Sequence, residues 1–234
     1  VLLWRTTSKG EIMTYRELLN EILIRLREET IPVDWSGNIN DSTTITDYQK
    51  VVGSLVNDAK RNIEGYHDWL ILRETVNIPT VVGTENYNLS SGQQIKILDV
   101  VNNTTATQLV QVSQSYINKQ KFPTQPTGEP LYYAFNGSDA SNNLKIDLSP
   151  VPTEVHTISF DVVKHQDTLT ASTTILKIPS QPVLLAAWAR AIAERGEDGG
   201  TQSSLMAQEA TEALKQAIML DSGNTQYETD WFVK

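Results

Sequence analysis

Few residues of this chain could carry acid–base or metal chemistry: its 234 residues include three histidines and no cysteine. The absence of cysteine excludes a thiol nucleophile, a disulfide and a thiolate metal site. His156 and His165 lie at the two ends of one predicted strand, ~30 Å apart at about 3.3 Å per residue, so they do not share a metal ion by themselves. His67 lies beside Asp68 on a predicted helix. We interpret all three as surface or half-buried side chains, and we predict no metal site.

Adjacent acidic residues are the other candidates for catalysis. Glu28 and Glu29 are neighbours on a predicted helix, where they point in different directions and are expected to be solvated. Glu197 and Asp198 lie in a predicted turn, where they can stabilise the N-terminus of the next helix. The glycines around them are not followed by the Lys and Ser/Thr of a phosphate-binding loop. We therefore predict that neither pair is a catalytic or metal site.

A hydrolase with its site at the rim of a sheet stays open as an alternative. It would use Asp147, Asp161 or His165. No pattern in the sequence pairs a nucleophile with a base for such a site. The prediction is a protein that is not an enzyme and holds no cofactor.

Composition narrows the classes of partner. The net charge is −9, so the chain does not bind DNA through bulk electrostatics, which would need clustered Lys and Arg. No apolar run approaches the roughly 20 residues of a membrane-spanning helix, and we expect no membrane contact. Residues 1–12 precede Met13 and are interpreted as an upstream extension.

Helical patterns occupy both ends of the chain. Thr14 with Glu17, and Thr46 with Gln49, predict capping boxes that begin two helices. The second helix is expected to run to about Leu72, with a glycine in its interior. A second pair of helices is predicted after Pro179, separated by the glycine-rich turn at 196–200, and short links of this kind favour antiparallel neighbours.

The centre of the chain alternates apolar and polar residues, which predicts strands. They are expected at 75–78, 85–89, 95–101, 108–112, 131–135, 144–148, 156–164 and 175–178. Residues 118–129 show no pattern and are predicted to be a long loop. The predicted fold is α+β, with an antiparallel β region, a small sandwich or barrel, inserted into a helical bundle. The predicted boundaries are 13–73 and 179–222 for the bundle, 74–178 for the β domain and 223–234 for a tail.

The predicted tail carries four apolar side chains in a polar context, too few for a core of their own. They are Tyr227, Trp231, Phe232 and Val233. Chain termini stay loose unless they are tied down. Two interpretations are open: the tail folds back onto the bundle, or it docks on a partner.

The layout and several local strings resemble the head-to-tail adaptor proteins of tailed bacteriophages, most closely the tail tubular protein A class. The resemblance covers roughly Met13 to Asp221. It is carried by Thr14-Tyr15-Arg16-Glu17-Leu18-Leu19, by Tyr66-His67-Asp68-Trp69-Leu70, by the strand-rich middle, and by Trp188-Ala189-Arg190-Ala191 before Gly196-Glu197-Asp198.

This resemblance implies a structural virion protein, assembled in the host cytoplasm, that forms a ring, usually of twelve copies, in the neck beneath the portal. The ring would extend the DNA channel, through which DNA passes without sequence-specific binding. The resemblance also implies that the tail docks into the portal and that the β region meets nozzle or fibre proteins. Lys119, Lys121 and Phe122, in the predicted loop, are the expected tail-side contacts.

A binding module is the alternative function. In it the β sandwich would recognise carbohydrate or another virion protein, with the helices as a stalk. The predicted strand region contains no tryptophan, and its tyrosines look mostly structural.

Overall fold

The structure of the protein is a computed structural model, and it describes residues 13–40, 43–89, 95–196 and 200–224. It divides into two compact units. The helical unit comprises Val1–Ile71 with Gln166–Lys234, and the β unit comprises Leu72–His165. The predicted α+β class is confirmed. The helices are α1 (Tyr15–Arg25), α2 (Asp47–Glu64), α3 (Gln114–Gln120), α4 (Ser180–Arg195) and α5 (Thr201–Ser222).

Strands occupy most of the β unit. They are β1 (Arg73–Pro79), β2 (Asn86–Leu89), β3 (Ile95–Asn102), β4 (Thr107–Gln108), β5 (Val110–Gln111), β6 (Thr127–Gly128), β7 (Tyr132–Ser138), β8 (Leu144–Ser149), β9 (Val151–Pro152) and β10 (Thr157–Lys164). They form a sheet of order β1-β10-β3-β4, a second of order β2-β8-β7-β5, and the small pair β6-β9. Pairing is antiparallel except for β5 with β7 and β6 with β9.

The two four-stranded sheets share one apolar core. Phe160 of the first sheet and Tyr133 of the second meet edge to face, with ring centroids 6.0 Å apart. Leu89, Ile146 and Ile158 of the same cluster are fully buried. The described strands therefore form a small sandwich rather than a closed barrel.

One strand expected at 108–112 is divided between the sheets. β4 pairs with β3, whereas β5 pairs with β7. Leu109 lies between them, is buried, and donates its N–H to the Val100 carbonyl at 2.9 Å. The chain thus crosses from one sheet to the other at this residue.

The two predicted capping boxes are present. The Thr14 N–H donates to a Glu17 carboxylate oxygen at 2.7 Å, and the Thr46 N–H donates to the Gln49 side chain at 2.9 Å. In each box the threonine hydroxyl accepts the reciprocal hydrogen bond. The bonds from Thr14 lower the pKa of Glu17. Both helices begin where the sequence predicted because a capping box needs only residues three apart.

α2 ends at Glu64, so the expected extension to Leu72 is wrong. Gly65 is its C-cap. The fully buried Trp69 donates its indole N–H to the Ile63 carbonyl at 3.0 Å, and the Tyr66 N–H donates to the same oxygen at 3.2 Å. A single 3₁₀ turn at Leu70–Leu72 follows.

Residues 166–178 belong to the helical unit. The strand expected at 175–178 is wrong, because Ile175 forms only an isolated bridge with Thr14. Nearby, the Tyr15 N–H donates to the Thr174 carbonyl at 2.8 Å and the Leu176 N–H donates to the Met13 carbonyl at 3.0 Å. The segment is thus held at the beginning of α1 by backbone hydrogen bonds.

Gly53 of α2 is tightly packed, and this packing leads to a testable prediction. A Cβ there would lie 2.5 Å from the Tyr15 hydroxyl and 2.8 Å from Ile39 Cδ1. Both side chains are buried. Overpacking a core costs about 1–3 kcal/mol. We expect Gly53→Ala to lower the free energy of unfolding by about that amount relative to Gly65→Ala, measured by urea unfolding.

Gly65 is the matched control for this prediction. It lies at the end of the same helix, and the nearest atoms to a Cβ there are backbone oxygens at 3.6 Å. Equal midpoints for the two variants would mean that the site around Gly53 has room for a methyl group.

Candidate functional site

The residues predicted to dock on a portal cannot be placed. Tyr227, Trp231, Phe232 and Val233 lie outside the described residues, which end at Asn224. α5 ends at Ser222, with Gly223 as its C-cap. The portal-docking assignment therefore stays a prediction.

The residues predicted to contact tail proteins lie together at the end of α3. The expected patternless loop at 118–129 is wrong in its first part, because α3 continues to Gln120 and β6 lies within the remainder. The Ser113 hydroxyl caps α3 by accepting from the Tyr116 N–H at 3.2 Å, and Ile117 is buried beneath the helix. A short helix with one buried apolar residue has too little periodicity to stand out in a sequence.

Lys119, Lys121 and Phe122 differ in what they can offer a partner. Lys119 is exposed. Lys121 forms an ion pair with Glu85 at 2.8 Å, and that carboxylate also accepts from Gln125. Phe122 is 81% exposed, which makes it the most exposed large aromatic side chain among the described residues. Phe122 is thus the strongest contact candidate of the three.

Sequence reasoning missed three exposed valines at the same end of the sandwich. Val81 and Val82 lie in the β1–β2 turn and Val155 lies just before β10, each more than half exposed. The two connections are joined, because Gly83 donates its N–H to the Pro152 carbonyl at 2.9 Å. The loop that carries Phe122 is tied to the β1–β2 connection by the ion pair of Lys121 with Glu85 at 2.8 Å. We call Phe122 and the three valines the loop-end surface. The signal for this surface in the sequence was the run Val81-Val82-Gly83, which indicates a turn with exposed apolar side chains.

Hydrogen bonds of buried polar groups support the loop-end surface. The Tyr87 hydroxyl accepts from the Val81 N–H at 3.0 Å and donates to a neighbouring carbonyl, 2.8 Å away at Thr84. The Thr80 N–H donates to the His156 carbonyl, and the Thr80 hydroxyl accepts from the His156 N–H, both at 2.8 Å. Burial raises the pKa of Tyr87, which keeps its hydroxyl protonated.

In the helical unit, α5 is unusually open. Only Met206 and Ala210 of its described side chains are buried, whereas Leu205, Met219 and Leu220 are each more than half exposed. A shallow depression beside Leu205 is lined, among the described residues, by side chains of α5. Such a helix face is suited to a protein partner rather than a small ligand.

The histidines make structural contacts. His67 Nε2 lies 2.9 Å from an Asp221 carboxylate oxygen. His156 is buried, with its Nδ1 3.3 Å from the Asn102 side-chain nitrogen. His165 is the last residue of the β unit. The structure brings none of them together with a nucleophile within the ranges it describes.

The acidic candidates either form contacts with other side chains or lie outside the described residues. Glu28 forms an ion pair with Arg195 at 3.1 Å, so its expected solvated state is only partly right. Asp147 is buried and accepts hydrogen bonds from Gln114 at 2.6 Å and Asn136 at 3.0 Å. Glu197 and Asp198 lie outside the described residues. No group of three or more His, Cys, Asp or Glu in the described part of the chain could hold a metal ion.

Among the helices that the structure describes, none is long and apolar enough to cross a bilayer.

Exposed apolar side chains on both units suit a protein that works through contacts with other proteins. Comparison with known families specifies the class. The family model of the SU10 adaptor protein matches residues 13–230, and the chain belongs to the SU10 adaptor protein family. It is thus a structural adaptor protein of a phage virion, as the resemblance implied, and this agrees with the expectation that it is not an enzyme. No curated protein matches the chain. The closer likeness to the tail tubular protein A class stays a prediction.

Proposed function

We propose that copies of this chain form a ring beneath the portal, in the neck of the virion, which joins the head to the tail and extends the DNA channel. The observation that carries the proposal is the family match over residues 13–230. We further propose that the ring contains twelve copies. The net charge of −9 suits a channel wall, because negative charge repels DNA phosphates.

The exposed side of α5 is the proposed contact between neighbouring copies. Leu205, Glu212 and Met219 are seven residues apart, so they lie along one side of this helix, and all three are exposed. Head-to-tail contacts between unlike surfaces close into rings when the rotation permits. The apolar Leu205 and Met219 would lie in the buried part of such a contact, and Glu212 would lie at its polar rim.

We assign the predicted tail and the β unit to different partners. The tail residues Tyr227, Trp231, Phe232 and Val233 are proposed to dock on the portal. The loop-end surface, centred on Phe122 and supported by Lys119 and Lys121, is proposed to meet nozzle or fibre proteins. Its rigid support favours this role, since a preformed surface loses little conformational entropy on binding.

Deleting residues 224–234 tests the portal assignment. We expect the shortened protein to keep its unfolding midpoint and its self-association, because the deletion begins after the last residue of α5, but to lose binding to portal rings. The mass of each protein, alone and mixed with portal rings, measures both properties. A shortened protein that still joins portals normally would contradict the assignment.

A second candidate function is supported by one observation. Tyr116 and Tyr132 of the β unit pack edge to face, with centroids 5.5 Å apart, and Tyr116 is 40% exposed. Exposed aromatic rings are common in carbohydrate sites, so the β unit could be a binding module for carbohydrate. A glycan array on which the protein binds no sugar would exclude this candidate.

A further inference from the structure

One exposed side of α5 carries apolar residues at both ends and a pair of opposite charges between them. Leu205 lies near the N-terminal end of the helix, Met219 and Leu220 lie in its last turn, and each is more than half exposed. Glu212 and Lys215, one turn apart, form an ion pair of 2.8 Å in which both side chains are more than half exposed. We call these five residues the α5 ridge.

α2 carries the same pattern on its exposed side. Val51 lies near the N-terminal end of this helix and is 37% exposed, and Tyr66 follows the C-cap and is 71% exposed. Between them Asp58 and Arg61 form an ion pair of 2.9 Å with both side chains more than half exposed. We call these four residues the α2 ridge.

The two ridges lie on different flanks of the helical unit. α4 packs against both α2 and α5. The ridge residues are exposed, so they point away from α4 on both helices. One copy can therefore offer its α5 ridge to one neighbour while its α2 ridge receives another. Contacts between unlike surfaces of this kind close into a ring when the rotation permits.

We propose that the α5 ridge of one copy packs antiparallel on the α2 ridge of the next copy, an inference that rests on the proposed ring. The apolar ends of each ridge are separated by 15 positions, which is about 22 Å along a helix. In this direction Leu205 lies near Tyr66, and Leu220 lies near Val51. The apolar ends thus meet over the same length, and burying them on both copies is favourable.

Charge complementarity selects the antiparallel direction. The register that places Asp58 level with Lys215 also places Arg61 level with Glu212, so opposite charges face each other across the contact. It leaves the apolar residues at each end within two positions of one another, about 3 Å along the axis. In the parallel direction matched apolar ends would place Asp58 against Glu212 and Arg61 against Lys215. Such like-charge contacts are strongly disfavoured at interfaces.

Engineered cysteines test the contact, because the chain contains no cysteine of its own. Val51→Cys and Leu220→Cys are made in separate copies, which are mixed and oxidised under mild conditions. We expect the mixed disulfide at roughly tenfold the yield of the matched control, Val51→Cys with Leu205→Cys, since the register holds that second pair about 25 Å apart. Mass spectrometry of the linked peptides measures both yields.

Inversion of the ridge charges tests the register. Asp58→Lys/Arg61→Glu is introduced in the copy with the α2 cysteine, and Glu212→Lys/Lys215→Glu in the copy with the α5 cysteine. Each inversion preserves the net charge and alters only exposed side chains, so the urea midpoint should stay near that of the wild type. Either inversion alone should lower the disulfide yield about tenfold, because like charges then meet, and the two together should restore it.

The outcomes separate this contact from the ring itself. Equal yields from the two cysteine mixtures, or no disulfide in either, would overturn the proposal. A yield that ignores charge inversion would overturn the antiparallel register. The ring is tested by the mass of the wild type on portal rings. Rings without the selective disulfide would refute the contact alone, and the selective disulfide without rings would refute the ring alone.

Discussion

Replacing Glu64 by glutamine is expected to lower the free energy of unfolding of the helical unit by about 3–5 kcal/mol. Glu64 and Lys60, one turn apart on α2, are each about 1% exposed and form an ion pair, Nζ to Oε2, of 3.0 Å. Breaking a buried pair leaves the remaining charge desolvated without its partner, which is the costly outcome. Folded proteins are stable by only about 5–15 kcal/mol, so the loss would be a large fraction of the total.

The pair also fixes the segment that returns from the β unit. Lys60 donates to the Gln166 carbonyl, and the Gln166 N–H donates to Glu64 Oε1 at 3.2 Å. Both charged side chains thus have backbone partners more than 100 residues away. Glu64→Gln keeps an oxygen for the Gln166 N–H, so the variant isolates the loss of charge from the loss of that hydrogen bond.

Asp58→Asn is the matched control on the same helix. Asp58 pairs with Arg61 at 2.9 Å, but both side chains are more than half exposed. An exposed pair of this kind contributes no more than about 1 kcal/mol. Urea unfolding followed by tryptophan fluorescence reports on the helical unit, because all five tryptophans lie in it. Similar losses in the two variants would contradict the prediction.

The Glu64→Gln deficit should depend on pH in a defined direction. Burial lowers the pKa of Lys60 from 10.5, and Glu64 opposes that shift. Without the carboxylate the folded-state pKa falls further, so the unfolded chain binds the proton more tightly than the folded one. Stability then rises with pH between the two pKa values. The deficit should therefore be full near neutral pH and shrink as the pH approaches 10.5.

Local signals explain which parts of the fold were predictable. The capping boxes at Thr14 and Thr46 depend on residues three apart, and both helices begin there. Strict alternation located β10, whose Ile158, Phe160 and Val162 all face the core. The division of the 108–112 stretch between two sheets was not predictable, because it depends on pairing with Val101 and Tyr132, which no local pattern encodes.

Contacts between residues far apart in the sequence explain the features that could not be predicted. The alternation of 175–178 suggested a strand, yet the segment around it is held by α2 and by the beginning of α1, far away in the sequence. The loop-end surface was predicted only at Phe122, since its valines join it through hydrogen bonds between separate connections. The ion pair of Lys121 with Glu85 could not be read from the sequence either, because the two residues meet only in the folded β unit.

Replacing Asn57 by alanine is the second prediction with a large expected effect, a loss of about 2–4 kcal/mol in the free energy of unfolding. The buried Asn57 side chain bonds to both backbone groups of Leu169, donating to its carbonyl at 2.9 Å and accepting from its N–H at 2.8 Å. Leu169 is fully buried, so solvent does not reach its backbone groups in the folded wild type. Each buried backbone group left without a partner costs about 1–3 kcal/mol.

Two further variants separate this explanation from a general loss of packing. Asn62→Ala, at an exposed position on the same helix, should change the free energy of unfolding by no more than about 0.5 kcal/mol. Asn57→Asp keeps the acceptor for the Leu169 N–H but places a carboxylate oxygen against the Leu169 carbonyl. A protonated carboxyl can donate there, so the deficit of Asn57→Asp should shrink as the pH falls towards about 4. If instead that deficit is the same at pH 7 and pH 4, the Leu169 carbonyl does not need a donor, and the explanation by two lost hydrogen bonds is wrong for that group.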